Sequence, residues 1–254
     1  MRIDAVVLAG AKNDGKLQQA DPAEYEALID IHGRVMLDYV LAALRGCEEI
    51  DRIVVVGPDC LAAHVRTPDI EYVRCGETMF DNLRLGIDSL QSDAKVLIVT
   101  SDIPLIAPEA IQDFIRRCDA VEADVYYPIT TKEVNERKYP GVHRTYVTLQ
   151  EGIFTGGNLV LLSPEFVEHK QHLIIKAIMM RKKPWQLARL LGFKSFVHMM
   201  TNKLSIKEIE ARVERNMGFK GVGIVSPYPE VGIDVDKPSD LELALAVLPR
   251  KSDA

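Results

Sequence analysis

The sequence has no apolar run long enough to span a bilayer and no basic patch of the kind that binds nucleic acid. Its 31 lysines and arginines are outnumbered by 37 aspartates and glutamates, and the basic residues are dispersed apart from residues 181–183. The strand-like run near the N-terminus lacks the basic region and longer apolar stretch of a secretory signal. We therefore expect a soluble, cytoplasmic protein whose partner is neither a membrane nor a nucleic acid.

Cysteine is also scarce. Four cysteines occur, and no two of them form a C-x-x-C pair, which argues against both a zinc site and a disulfide framework. The G-x-S-x-G motif is absent, so hydrolase chemistry has no support. What is present is an ordinary globular composition, 47% hydrophobic and 27% charged. The length suits one α/β domain that spans residues 1–254.

The first half alternates short β-branched runs with amphipathic stretches, a pattern typical of strand–helix units around a parallel sheet. The predicted strands cover residues 3–8, 53–56, 70–73, 95–99, 123–127, 159–162 and 222–225. The predicted helices cover about 36–44, 78–90, 164–180, 184–191, 205–216 and 238–248, with another that begins after Ala107. The fold class that follows is α/β: a three-layer αβα sandwich with a mainly parallel, Rossmann-like sheet and a helical elaboration in the C-terminal half.

Two acidic motifs lie where ligands usually bind. Asp102 follows the apolar run 95–99, so we expect it at the carboxyl end of a buried strand, where open α/β sheets bind ligands. Asp234 and Asp236 stand one residue apart, directly before the last predicted helix. Carboxylates from separate segments suit Mg²⁺, which favours oxygen ligands. The same residues are also suitable as caps of a turn or helix, and the pattern alone leaves both interpretations open.

The turn after the first strand contains Gly10, Lys12, Gly15 and Lys16. Small residues with free backbone N–H groups can wrap a triphosphate, and lysines supply positive charge; a flexible turn with solvated lysines is the alternative. The segment also matches the P-loop pattern up to its last position, where Leu17 replaces the Ser or Thr that binds Mg²⁺. A P-loop NTPase is therefore a lesser alternative.

Four motifs in this order resemble the MobA-like NTP transferases, which have the nucleotide-diphospho-sugar transferase (GT-A-like) fold. The motifs occupy residues 7–10, 33–37, 101–104 and 234–241. The resemblance implies transfer of a nucleotidyl group from an NTP to a phosphorylated acceptor of the sugar phosphate, phosphoalcohol or molybdopterin type. Pyrophosphate is released in such a reaction, and Mg²⁺ is required.

The resemblance also implies roles for individual residues. Asp102 and Asp236 would hold the metal, with Asp234 beside them, and Lys16 would be the main phosphate contact. The remaining implied nucleotide contacts are Leu8, Ala9, Gly10 and Lys12 in the first turn and Gly76, Glu77 and Asn82, where relatives contact the base. Residues 1–127 would then form a nucleotide-binding half, 128–225 an acceptor-side elaboration, and 226–254 the return to the metal site.

Three positions depart from the family pattern in the part that should hold the triphosphate. Ala11 replaces a glycine, Glu26 stands where relatives carry a lysine, and no arginine occurs between the first strand and Arg34. A carboxylate at position 26 would repel phosphate unless a cation intervenes. These departures motivate a second hypothesis, a regulatory protein that binds a nucleotide but has lost catalysis. The motifs leave the base, the acceptor and the oligomeric state open.

Overall fold

The computed structural model describes residues 2–65, 67–180 and 204–250. Its strands are β1 (Ile3–Leu8), β2 (Asp30–Ile31), β3 (Arg34–Val35), β4 (Ile50–Gly57), β5 (Ile70–Arg74), β6 (Val96–Thr100), β7 (Val125–Thr131), β8 (Val147–Leu149), β9 (Gly152–Gly156), β10 (Leu159–Leu162) and β11 (Gly221–Val225). Its helices are α1 (Met36–Arg45), α2 (Met79–Leu90), α3 (Pro108–Asp119), α4 (Lys132–Lys138), α5 (Pro164–His169), α6 (Gln171–Met180), α7 (Ile206–Met217) and α8 (Pro238–Val247). None of these helices combines the length and the apolar character needed to cross a membrane.

A mixed, mostly parallel sheet forms the centre of the fold, in the order β5-β4-β1-β6-β10-β7-β9-β8, with β11 parallel to β7. Strands β5, β4, β1 and β6 run parallel, while β10 and β9 each pair in antiparallel fashion with β7. Both faces of β1 are covered, which is why all six of its residues are buried. The predicted α/β sheet is confirmed.

Helices cover the sheet on both sides. Alternate residues of β1 point to opposite faces, so Ala5 and Val7 join a core with α1 and α3, whereas Val6 and Leu8 join a core with α2 and α5. Helix α2 lies very close to the sheet at Gly86, where any Cβ would overlap Val6. These layers are the predicted αβα sandwich.

The elaboration after residue 127 contains the predicted strands β10 and β11, but it also contains two strands, β8 and β9, that were not predicted. The polar stretch between β7 and β10 forms α4, β8 and β9, which are too short to show a clear hydrophobic period. The pattern over 164–180 is two helices, because the backbone leaves the helical conformation at Lys170. The predicted helix over 184–191 lies outside the described residues.

Candidate active site

Three carboxylates meet at the carboxyl end of β6. Asp102, Asp234 and Asp236 each offer an oxygen atom, and these atoms lie within 4.8 Å of one another. The backbone N–H of Val235 donates to the carbonyl of Asp102 at 2.8 Å, which holds the two segments side by side. The predicted convergence of the two acidic motifs is therefore present in the structure.

None of these carboxylates caps the helix that follows it. The residue at the N-cap of α8 is Lys237, which makes no side-chain capping bond. The backbone N–H of Asp236 donates instead to the carboxylate of Asp240 at 3.2 Å. The carboxylate of Asp102 accepts a hydrogen bond from the Thr100 hydroxyl, and the N-cap of α3 is Ala107. The N-cap positions of α3 and α8 are thus occupied by other residues than these three aspartates.

The electrostatics of the cluster favour a cation. Burial raises the pKa of Asp234 to about 7, and the charges of Asp102 and Asp236 add to the rise, whereas Arg144 opposes it. Three carboxylates this close repel one another, and a bound cation would relieve the repulsion. Since every donor in the group is a carboxylate oxygen, the residues fit a hard divalent ion such as Mg²⁺.

Arg144 was not among the predicted site residues. Its side chain is 8% exposed, and its Nη1 lies 3.2 Å from the Asp234 carboxylate and 3.6 Å from that of Asp240. Its Nη2 donates to the carbonyl of Asp234 at 2.7 Å, while Nε is buried without a hydrogen-bond partner among the described residues. The arginine lies in a polar stretch without periodicity, so no sequence signal pointed to it.

A cavity of about 1160 Å³ opens beside the carboxylates. The predicted phosphate contact Lys16 lies in its wall, together with Glu26. His143, Arg144 and Lys237 line the same cavity, so it contains more positive charge than the first turn alone supplies. Lys237 was not predicted as a site residue, although a signal for it exists in the sequence: it follows Asp236 directly inside the last motif.

The first turn is structured rather than flexible. Asn13 is buried, and its side-chain amide donates to the carbonyls of Asp21 at 2.9 Å and Ala23 at 3.0 Å. The backbone of Lys12 pairs with Tyr25 in a β-bridge, and the Lys12 side chain does not line the cavity. Residues 16–19 form a short 3₁₀ turn rather than the α-helix that follows a P-loop. The geometry therefore does not support a P-loop NTPase.

The start of this turn is already engaged by the sheet. Leu8 and Ala9 have buried side chains. The Leu8 carbonyl accepts from the Ser101 N–H at 3.2 Å, and the Ala9 N–H donates to Val56 at 2.8 Å. Backbone groups that remain available to a ligand therefore begin at Gly10.

The predicted base-contacting residues lie on the other side of Gly10 from the carboxylates. The side-chain carbonyl of Asn82 accepts from the Gly76 N–H at 2.7 Å, and a Cβ on Gly10 would lie only 2.9 Å from Asn82 Nδ2. Glu77 is exposed in the same loop. Because the strand order is β5-β4-β1-β6, the sheet edge carries Gly76, then Gly10, then Asp102. Gly76, Glu77 and Asn82 do not line the large cavity.

A mostly parallel sheet flanked by helices, with a cluster of carboxylates at the carboxyl end of a central strand, places this protein in the class of nucleotidyltransferase-like α/β folds. The chain belongs to the MobA-like NTP transferase domain family, whose model matches residues 5–183. The resemblance found in the four sequence motifs is thereby confirmed.

Solved structures agree with this assignment. A hypothetical transferase from Thermus thermophilus has 34% identity and a TM-score of 0.82, over 95% of this chain and 100% of that one. CMP:2-keto-3-deoxy-manno-octonic acid synthetase complexed with CTP has 12% identity and a TM-score of 0.61, over 97% of this chain and 98% of that one. The 2-C-methyl-D-erythritol 4-phosphate cytidylyltransferase of Francisella tularensis has the same identity and TM-score, 12% and 0.61, over 97% of this chain and 100% of that one. At 12% identity, these last two share the fold. No curated protein sequence matches this chain significantly.

Proposed function

We propose that this protein is a Mg²⁺-dependent nucleotidyltransferase that moves an NMP group from an NTP to a phosphorylated small-molecule acceptor. The observation that carries the proposal is the meeting of Asp102, Asp234 and Asp236 within 4.8 Å, beside Lys16 and Arg144 in one cavity. Membership of an NTP transferase family supports the choice of an NTP as donor. The base of the NTP is left to experiment.

Each residue of the site has a role in this proposal. Asp102 and Asp236 hold the metal ion, and Asp234 completes its ligands. The ion, when bound, supplies positive charge at the phosphates of the NTP. Lys16 binds the phosphate oxygens that become pyrophosphate, and Arg144 lies where it can bind the acceptor phosphate. The backbone at Gly10 and the loop of Gly76, Glu77 and Asn82 hold the nucleoside.

The transfer itself needs positioning and charge stabilisation rather than a protein nucleophile. An oxygen of the acceptor phosphate attacks the α-phosphorus in line with the bond to the β-phosphate. That P–O bond breaks, its electron pair leaves with pyrophosphate, and a new P–O–P linkage joins the NMP to the acceptor. Since a phosphate is already deprotonated at neutral pH, no general base is required. This matches a cavity with carboxylates and cations but no histidine–carboxylate pair among its described residues.

The alternative of a catalytically inactive nucleotide-binding protein rests on Glu26, which lies in the cavity wall. Arg34 does not offset it, because its guanidinium lies 4.5 Å from the centre of the Tyr39 ring and away from the cavity. Arg144 and Lys237 do line the cavity and supply positive charge there. This compensation favours an active enzyme.

A thermal-shift panel tests the proposal. ATP, CTP, GTP and UTP are added with and without Mg²⁺, and we expect one of them to raise the melting temperature only with the metal, because a ligand that binds the native state stabilises it. The Asp102→Asn variant should lose this response, whereas Asp113→Asn, whose carboxylate pairs with Arg117 on α3, should keep it. Pyrophosphate release with a panel of phosphorylated acceptors then separates turnover from binding. No response to any nucleotide would contradict the proposal.

A further inference from the structure

The large cavity extends from the carboxylates away from the proposed nucleoside side. Gly76 and Gly10 follow β5 and β1, Asp102 follows β6, and beyond it the cavity is bounded by β7, β8, β9, β11 and α7. We call the far part of this lining the apolar wall; its main members are Tyr127, Ile129, Val147, Ile209 and Val213. Because the nucleoside lies on the opposite side of the carboxylates, this space belongs to the acceptor.

One side of the apolar wall is a helix whose apolar stripe is only partly buried. Ile206, Ile209 and Val213 recur at helical spacing along α7, and a stripe of this kind is normally covered by protein. Ile206 and Ile209 pack against Leu149, Phe154 and Leu204, yet no residue of α7 is fully buried and all three stripe residues line the cavity. The described part of the chain therefore covers this helix face only in part, and the remainder faces the acceptor space.

The other side is the face of β7. Val125, Tyr127 and Ile129 alternate along the strand and all line the cavity. The Tyr127 ring lies against Gly156, where any Cβ would overlap it, and the tyrosine is nonetheless 44% exposed. A large aromatic surface is thus held in place and left accessible.

Charge is segregated along the cavity. Lys16, Arg144 and Lys237 are grouped with the carboxylates at one end. Along the apolar wall the charged side chain among the described residues is Glu210, whose carboxylate already accepts the Gly223 N–H at 2.9 Å. A polyhydroxylated acceptor would need several polar partners, and the wall does not offer them. A hydrocarbon surface would match it.

We propose that the acceptor is amphipathic, with a phosphate bound at the cationic end and a hydrocarbon chain that lies along the apolar wall. This inference rests on the proposed nucleotidyl transfer and names the class of its acceptor. The phosphate oxygen of the acceptor forms a bond to the α-phosphorus of the NTP, and pyrophosphate leaves with the electron pair of the broken P–O bond. The product is a hydrocarbon joined to the nucleoside through a diphosphate.

A homologous series of acceptors tests the proposal. Ethyl, butyl, hexyl and octyl phosphate are compared with glucose 1-phosphate in pyrophosphate release, with Mg²⁺ and the NTP that gives the thermal shift. We expect kcat/KM to rise by roughly fourfold for each methylene that the wall buries. Glucose 1-phosphate carries the same charged group, and we expect it to be no better than ethyl phosphate.

Two variants of α7 connect the series to the wall. Val213→Asp places a charge in the apolar stripe and should lower the octyl-to-ethyl ratio of kcat/KM by at least about tenfold. Ala211→Asp places the same charge on the exposed side of the same helix and should leave the ratio unchanged. If Val213→Asp fails to fold, Val213→Thr has nearly the same shape and should still lower the ratio.

The outcomes separate this inference from the proposed function. Binding of an NTP with Mg²⁺, together with rates that do not depend on chain length, would overturn the amphipathic acceptor and leave nucleotidyl transfer intact. A preference for glucose 1-phosphate would do the same. A flat series in which Val213→Asp converts a dimer to a monomer in sedimentation would reassign the wall to a subunit interface. Absence of NTP binding would instead contradict the proposed function itself.

Discussion

At the scale of single residues, Arg144 shows how the site balances its charge without a metal. The guanidinium lies between the carboxylates of Asp234 and Asp240 and is almost completely buried. A bound Mg²⁺ would supply positive charge to the same cluster. The arginine and the ion are therefore partly interchangeable as counter-charges, and the loss of one should make the other more important.

Replacing Arg144 tests this relation. Arg144→Met leaves two carboxylates without their partner, and we expect the metal-free protein to lose about 3 kcal/mol of unfolding free energy. Addition of Mg²⁺ should recover part of that loss, since the ion neutralises Asp234. Urea unfolding in EDTA and in Mg²⁺ measures both quantities. Arg144→Lys keeps the positive charge and should lose less unfolding free energy than Arg144→Met. An equal loss of unfolding free energy in both variants and in both buffers would argue against the role of Arg144 as a counter-charge.

The cysteines give a second prediction at this scale. Burial raises the pKa of Cys47 to about 11 and that of Cys118 to about 12, so neither forms much thiolate near neutral pH. Cys60 is exposed, and Cys75 is partly exposed. We expect a thiol reagent at about pH 8 to label Cys60 and Cys75 in the native protein, and Cys47 and Cys118 only after unfolding. Peptide mapping identifies which cysteines are labelled. Labelling of Cys118 in the native protein would contradict the buried position of this residue on α3.

At the scale of elements, the segment that begins with α4 fixes the loop that carries Asp234 and Asp236. The Tyr139 hydroxyl donates to the buried carboxylate of Glu230 at 2.5 Å, and Lys138 pairs with the same carboxylate. Farther along, Arg144 contacts Asp234. Three contacts from one segment thus hold the chain on which Asp234 and Asp236 lie.

Removal of the hydrogen bond between Tyr139 and Glu230 should therefore affect the site from a distance. Tyr139→Phe leaves the buried Glu230 with one donor fewer, and we expect a loss of about 2 kcal/mol in stability. We also expect weaker Mg²⁺ binding, measured by titration calorimetry. Tyr72→Phe is the matched control, because its hydroxyl donates to the Gly57 carbonyl at 3.0 Å on the far side of the sheet. The control should lose about 1 kcal/mol and keep its affinity for the metal.

The elements of the nucleotide-binding half could be predicted because each carries a clear local signal. The apolar run predicts β1 at its observed bounds, and the helix predicted over 78–90 is α2, with Thr78 as its N-cap. Strands β8 and β9 were not predicted, because they are short and are defined by their pairing with each other and with β7. Pairing between distant segments leaves little trace in a local pattern.

The same distinction applies to the candidate site. Asp102, Asp234 and Asp236 could be selected because they follow a buried strand or precede a helix, positions that the sequence reveals. Arg144 could not, since its importance comes from contacts with residues 90 and more positions away. Lys16 and Lys12 were both predicted to contact the nucleotide, and the fold places Lys16 but not Lys12 in the cavity.

At the scale of the whole molecule, the sheet separates the two proposed substrates. The loop of Glu77 lies beyond β1, whereas His143 lines the cavity on the acceptor side of the carboxylates. Glu77→Gln should therefore raise KM for the NTP several-fold, and His143→Ala should raise KM for the phosphorylated acceptor several-fold. Two-substrate steady-state kinetics separates these constants. Changes in the same constant for both variants would contradict the division of the molecule into a nucleotide half and an acceptor half.

The hydrogen bond from Val235 to Asp102 has a consequence for how the protein is made. Strand β6 and its neighbours precede Val235 by a long stretch of chain, and during synthesis the N-terminal part of a protein can fold first. A ribosome-bound intermediate can therefore form the β5-β4-β1-β6 part of the sheet while Asp102 still lacks both Asp234 and Asp236. In the proposed enzyme, the metal site of such an intermediate would be incomplete, so the nascent protein would be unable to bind the ion until residues 234–236 have left the exit tunnel.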